Sequence, residues 1–196
     1  ASTSFLAVVQ ANPEYTNSFY YVWLSSYWLG DHAAAEREAA AFATQLPLGF
    51  ADTLRAASDR EQVLPIMTFL AARAFKAARL ADSCALNHVL ALVQDTAESW
   101  NNYAFACREL GRFEASLEAY EAALTKEPDS PQLLNDTAVI LQYHLTSPEN
   151  LARAKAMYER AVELAERQIH AGKLEGSELA LVKQALQDAR GNLAKL

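Results

Sequence analysis

The side chains able to do acid–base, nucleophilic or metal chemistry in this 196-residue chain are spread along it rather than gathered. His32, His88, His144 and His170 lie far apart, and none sits in an HExxH pattern or beside a plausible nucleophile with an orienting acid. Glu36 and Glu38 form a carboxylate pair, but helical spacing and charged neighbours read as a solvated face. Cys84 and Cys107 match neither a CxxC nor a zinc spacing, so they read as small buried hydrophobes; a bridge between them stays open. No GxxxxGK[ST] loop and no GxGxxG after a strand is present to cradle a phosphate. The sequence therefore predicts no catalytic residue, no metal, no cofactor and no enzyme, leaving only an active site assembled from distant residues as the alternative.

Recognition chemistry is better represented. Six of the ten residues from Phe19 to Trp28 are aromatic, and such side chains offer large contact area at low entropic cost, with polar tips that can hold a peptide backbone. Asparagine and glutamine, which each carry a donor and an acceptor suited to peptide amides, recur at Asn101, Asn102, Gln132, Asn135 and Gln142.

The elements that must position these groups are helices. With 52% hydrophobic residues, six glycines and six prolines, the chain favours helix and shows no strand-like alternation of useful length. Between Ala97 and Leu110 the side chains Trp100, Tyr103, Cys107 and Leu110 recur every three or four residues and so share one stripe. Phe113, Leu117, Tyr120, Ala123 and Leu124 answer on a second helix. The small Ala104 lets the two approach, and Gly111 marks the turn between them. Asp95 with Glu98 has the spacing of a capping box, and Pro128 ends the pair.

Trp100, Tyr103, Ala104, Cys107, Ser116, Tyr120, Ala123 and Pro128 stand where a 34-residue helix-turn-helix signature has its W-x2-L-G-x2-Y, A-x3-F and P positions. In this the chain resembles the tetratricopeptide repeats. The resemblance implies an all-α fold, an α-solenoid of antiparallel helix pairs wound as a right-handed superhelix, whose concave face binds other proteins. The register extends downstream, where Leu134, Thr137, Ala138 and Leu141 repeat the first stripe; Ala154, Tyr158 and Ala161 repeat the second after four extra residues. Ser130 with Pro131 and Ser147 with Pro148 read as helix caps followed by proline at the first helical position.

Upstream, Phe19, Val22, Trp23, Ser26, Leu29 and Gly30, then Ala35, Ala39, Phe42 and Pro47, outline a repeat over 16–49. Residues 63–96, with Ile66, Phe69, Leu70, Leu86 and Val89 at apolar positions, form a degenerate repeat without the turn glycine or final proline. The expected organisation is one solenoid over 1–196. Residues 1–15 are the tail of a preceding repeat, 16–49 a repeat, 50–62 an insertion, 63–96 the degenerate repeat and 97–130 a repeat. Residues 131–172 are a repeat with a four-residue insertion, and 173–196 a capping helix. Phe5, Val8 and Pro13 match the end of a repeat whose first half is absent, which predicts a chain cut from a longer solenoid or following a removed leader.

By this resemblance the inner face carries Tyr20, Leu24, Tyr27 and Trp28 from the first repeat, Asn101, Phe105 and Arg108 from the third, and Gln132, Asn135, Val139 and Gln142 from the last. These residues are the expected partner-binding groove. For the aromatic set, packing against an adjacent repeat accounts for the pattern equally well. A subgroup of the family grips chaperone carboxylates through basic inner residues; here Tyr20, Asn101 and Gln132 stand where lysines would be, although Asn102 is kept, so that use is disfavoured.

Charge narrows the partner. The formal net charge is −7, and Asp95 to Asp136 holds nine acidic residues against Arg108, Arg112 and Lys126. An acidic surface repels phosphate backbones, so nucleic acid is an unfavourable partner and a neutral or basic protein or peptide a favourable one. No apolar run approaches the roughly 18 to 20 residues of a membrane span. The expected function is a non-catalytic interaction module or scaffold that binds a peptide or helix in the groove. The alternative is structural self-association, or packing inside a larger protein.

Overall fold

A computed structural model of the chain describes residues 50–196 and, before them, 25, 26, 28–35 and 37. Tyr20, Leu24 and Tyr27, and the 1–15 segment, lie outside the described residues. The described chain folds into α-helices joined by turns, with no strand among those residues, and within each unit consecutive helices pack on one another. They are α1 (Phe50–Ala56), α2 (Arg60–Lys76), α3 (Leu80–Gln94), α4 (Ala97–Glu109), α5 (Phe113–Lys126), α6 (Pro131–Tyr143), α7 (Pro148–His170) and α8 (Gly176–Leu193). Two compact units divide between Asp95 and Thr96.

In the first unit, α2 and α3 form the helix pair and α1 packs on both. Val63, Ile66, Met67, Leu70, Ala71 and Ala74 recur every three or four residues along α2 and are buried, the first five in one cluster with Leu86, Val89 and Leu90 of α3 and Leu54 of α1. Phe69 falls off that stripe, which corrects its place among the expected core residues. Its ring is exposed, with the Arg73 guanidinium carbon 5.7 Å from the ring centroid one turn on. Cys84 is buried in this unit and Cys107 in the other.

The helix-closing turns show how the degenerate repeat keeps the shape of the regular one. After α4, Gly111 (φ +78°) donates its N–H to the Arg108 carbonyl, and Arg112 donates to that of Cys107, both at 2.9 Å. After α2, Ala78 (φ +57°) and Arg79 donate at the same distances to Phe75 and Ala74. Both are the left-handed closure that satisfies the last orphan carbonyls of a helix, and Asp31, donating to Ser26 beyond Gly30 (φ +77°), makes its long bond too. An alanine in this conformation crowds its Cβ against the backbone. Ala78→Gly is therefore expected to raise stability by ~1 kcal/mol, checked by the urea midpoint of unfolding.

The second unit runs from Thr96 to Leu196. α4 starts at a capping box one residue later than the sequence spacing indicated: Thr96 Oγ1 accepts from the Ser99 N–H at 3.2 Å, and Ser99 Oγ accepts from the Thr96 N–H at 3.1 Å. Asp95 closes α3 in the left-handed region (φ +50°), so it is not the cap of α4. Ser130 caps α6 through the Leu133 N–H (3.4 Å), and Ser147 caps α7 through the Asn150 N–H (3.0 Å), each followed by proline in the first turn.

Packing proceeds along the chain. α4 lies on α5, α5 on α6, α6 on α7, and α8 on both α7 and α6. One cluster joins Ala97 and Ala104 of α4 to Ala119, Tyr120 and Ala123 of α5 and to Leu133 and Ile140 of α6. The next joins Leu134, Ala138 and Leu141 of α6 to Ala154, Tyr158, Ala161 and Leu164 of α7 and Ala189 of α8. Each helix thus buries one apolar stripe between two neighbours, the packing that repeat arrays use. No described helix is long and apolar enough to cross a membrane.

Candidate functional site

The residues of the second unit expected in the groove lie on α4 and α6. On α4, Asn101, Phe105 and Arg108 are spaced four and three residues apart and fall on one stripe. Phe105 is 36% exposed, and the Arg108 guanidinium carbon stands 4.6 Å from its ring centroid. The same guanidinium pairs with Glu109 Oε1 at 3.1 Å, so Arg108 is fixed over the ring by two contacts. The Asn101 side-chain oxygen is buried without a hydrogen-bond partner.

On α6, Gln132 is exposed and Val139 half-buried. Between them Asp136 is partly covered; burial pushes its carboxyl above the ordinary value, while Arg108 and hydrogen bonds from Asn135 and Gln132 pull it back.

Asn135 and Gln142, assigned to the groove from sequence, are buried and bonded inside the unit. Asn135 Oδ1 accepts from Asn192 of α8 at 3.2 Å, and Gln142 Oε1 accepts from the Tyr158 hydroxyl of α7 at 2.8 Å. They brace α6 against α7 and α8, leaving Asn101, Phe105, Arg108, Gln132 and Val139 as the accessible or half-buried part. Trp28, in the first unit, is 64% exposed.

The sequence reading missed a hollow beside this face. The Glu127–Ser130 turn, the start of α6, Gln168 of α7, Leu174 and the first half of α8 line an open hollow of about 460 Å³. One signal for it was available: Leu181 lies off the Leu179, Val182, Leu186, Leu193 stripe of the last helix, and it is 57% exposed at the cavity. A smaller cleft beside it is lined by Glu98, Asn101 and Leu133, and shares Glu127, Ser130 and Gln132 with the first. Nothing in this arrangement brings together a nucleophile, a base and an orienting acid. Among the described residues, no three His, Cys, Asp or Glu side chains converge to hold a metal.

Comparison with known proteins bears on the first part of this unit. A family model described as the tetratricopeptide repeat matches residues 97–140, which span α4, α5 and most of α6. Residues 97–140 are a tetratricopeptide repeat. Solved structures with a similar fold include PcrH in complex with the chaperone binding region of PopD, at 18% identity over 67% of this chain and 94% of that one, with a TM-score of 0.51. SycD, a type III secretion translocator chaperone of Yersinia enterocolitica, is 19% identical over 70% of this chain and 96% of its own, with a TM-score of 0.51. A type III secretion complex from Aeromonas hydrophila matches at 18% identity over 74% of this chain and 89% of that chain, again with a TM-score of 0.51. At such identities the likeness shows the fold alone. No curated protein matches the chain in sequence.

Proposed function

We propose that the chain is a non-catalytic protein-interaction module that holds a segment of a partner protein against the α4–α6 face of its second unit. The observation that carries this reading is Phe105, an accessible aromatic ring with Arg108 held at 4.6 Å, on the same α4 stripe as Asn101, which lines a cleft together with Gln132. Aromatic and arginine side chains dominate binding energy where they are pre-positioned, because little rotamer freedom remains to be lost on contact. Amides beside them can bond a peptide backbone in either direction. That PcrH was solved holding a region of PopD supports the use of this fold to grip another protein. The acidic balance of the stretch favours a neutral or basic partner over an acidic one.

The test is affinity selection of a random-peptide display library on the full chain, followed by dissociation constants for the enriched peptides. Phe105→Ala is expected to weaken them about tenfold, equivalent to ~1.4 kcal/mol, with helicity unchanged because the ring is accessible. Undiminished affinity would remove this face from the binding site. Self-association, the alternative use, would appear in the same preparation as a concentration-dependent mass by light scattering that Trp28→Ser lowers.

A further inference from the structure

The cavity of about 460 Å³ and the cleft beside it differ in chemistry in a way that specifies an occupant. Leu174, Leu181, Val182 and Ala185 give the larger cavity apolar walls on the α8 side, and its volume lies within the ~300–1,000 Å³ typical of ligand sites. Of the acidic residues at its edge, Asp129 is already engaged: its carboxylate pairs with Arg160 at 3.1 Å and its carbonyl accepts from Gln168 at 3.2 Å. Those bonds pin the turn that forms one wall. Glu127 and Glu178 make no ion pair with any described residue.

The smaller cleft is a place of acceptors. Glu98 and Glu127 line it, Glu98 likewise without an ion pair among the described residues, and so does Asn101, whose side-chain oxygen is buried and unpaired. An ammonium or guanidinium group carries donors only, and so complements a cleft lined by two carboxylates without ion pairs. An anion would meet repulsion there.

We propose that these adjoining hollows dock a partner-protein segment in which an apolar side chain fills the larger cavity and a neighbouring lysine or arginine fills the smaller. The shared wall of Glu127, Ser130 and Gln132 keeps the two side chains within one short stretch of peptide. This assignment rests on the unit being a peptide-binding module, and it names the class of peptide.

Peptides selected on the full chain from a random display library are expected to pair Lys or Arg with an adjacent Leu, Ile, Met or Phe, and to lose affinity as salt rises. Glu127→Lys with Glu178→Lys, and separately Leu181→Asp, are each expected to weaken them about tenfold. All three residues are exposed, so the thermal unfolding midpoint serves as the control for folding. Enrichment of acidic or uncharged peptides would overturn the assignment. So would basic–apolar peptides that lose affinity with Phe105→Ala but ignore the cavity variants, and either result leaves the broader reading standing. Enrichment of no peptide at all would overturn both.

Discussion

Replacing Tyr158 with alanine will destabilise the second unit by about 3–5 kcal/mol, read as faster amide exchange across α6 and α7 of the full chain. Tyr158 is fully buried in the cluster of Leu134, Ala138, Leu141, Ala154 and Ala161, so truncation opens a cavity where two helices meet. Phenylalanine variants separate the ring from the hydroxyl. The Tyr158 hydroxyl donates to Gln142 Oε1 at 2.8 Å, and Gln142 is itself buried, so Tyr158→Phe leaves a stranded acceptor and costs about 1–3 kcal/mol. Tyr120 occupies the corresponding place in the preceding helix pair, equally buried, but its hydroxyl has no hydrogen-bond partner. Tyr120→Phe is therefore expected to be neutral or stabilising. Burial pushes both phenols above their ordinary range, so neither charges near neutral pH and the comparison holds there unchanged. Equal losses from the two phenylalanine variants would contradict this account.

The contrast between those tyrosines shows what a sequence can and cannot carry. Spacing alone placed Tyr120 and Tyr158 on the buried side of their helices, because a period near 3.6 fixes the face of every residue once a few are known. The serine–proline caps and the glycine of the α4–α5 turn were legible for a similar reason: each depends on local backbone chemistry. Ala78 was not, since nothing in an alanine announces a left-handed turn that neighbouring helices impose. Faces also say little about partners across helices. Asn135 and Gln142 have the spacing of an inner face, yet Asn192 and Tyr158, 57 and 16 residues away, take up their side chains. The hollow at Glu127, Gln132 and Leu181 was hidden because its walls come from the α5–α6 turn and from α8, and only tertiary packing brings them together. Leu181, an apolar residue off the stripe of its own helix, was the trace it left.

Ala104→Leu is expected to cost about 3 kcal/mol, although it adds apolar surface. Ala104 is fully buried where α4 crosses α5, facing a seam that includes Ala119 and Ala123. The Ser116 hydroxyl reaches across this crossing to donate to the Ala104 carbonyl at 2.8 Å, a bond that requires the two backbones to stay close. Leucine's added carbons have no void to enter, so the helices must part or the side chain must leave its rotamer, at about 1–3 kcal/mol. Parting them also strands the Ser116 hydroxyl, worth roughly another 1 kcal/mol. The same addition at Ala152, exposed on α7, is expected to change little, which separates overpacking from a general effect of leucine. Ala104→Gly should cost only about 1 kcal/mol, from helix propensity, since it keeps the seam narrow. Because Phe105 follows Ala104 directly, a displaced α4 would also move the accessible ring and Arg108. Peptide affinity should then fall with Ala104→Leu and survive Ala104→Gly, which ties the narrow alanine seam to the recognition face rather than to stability alone.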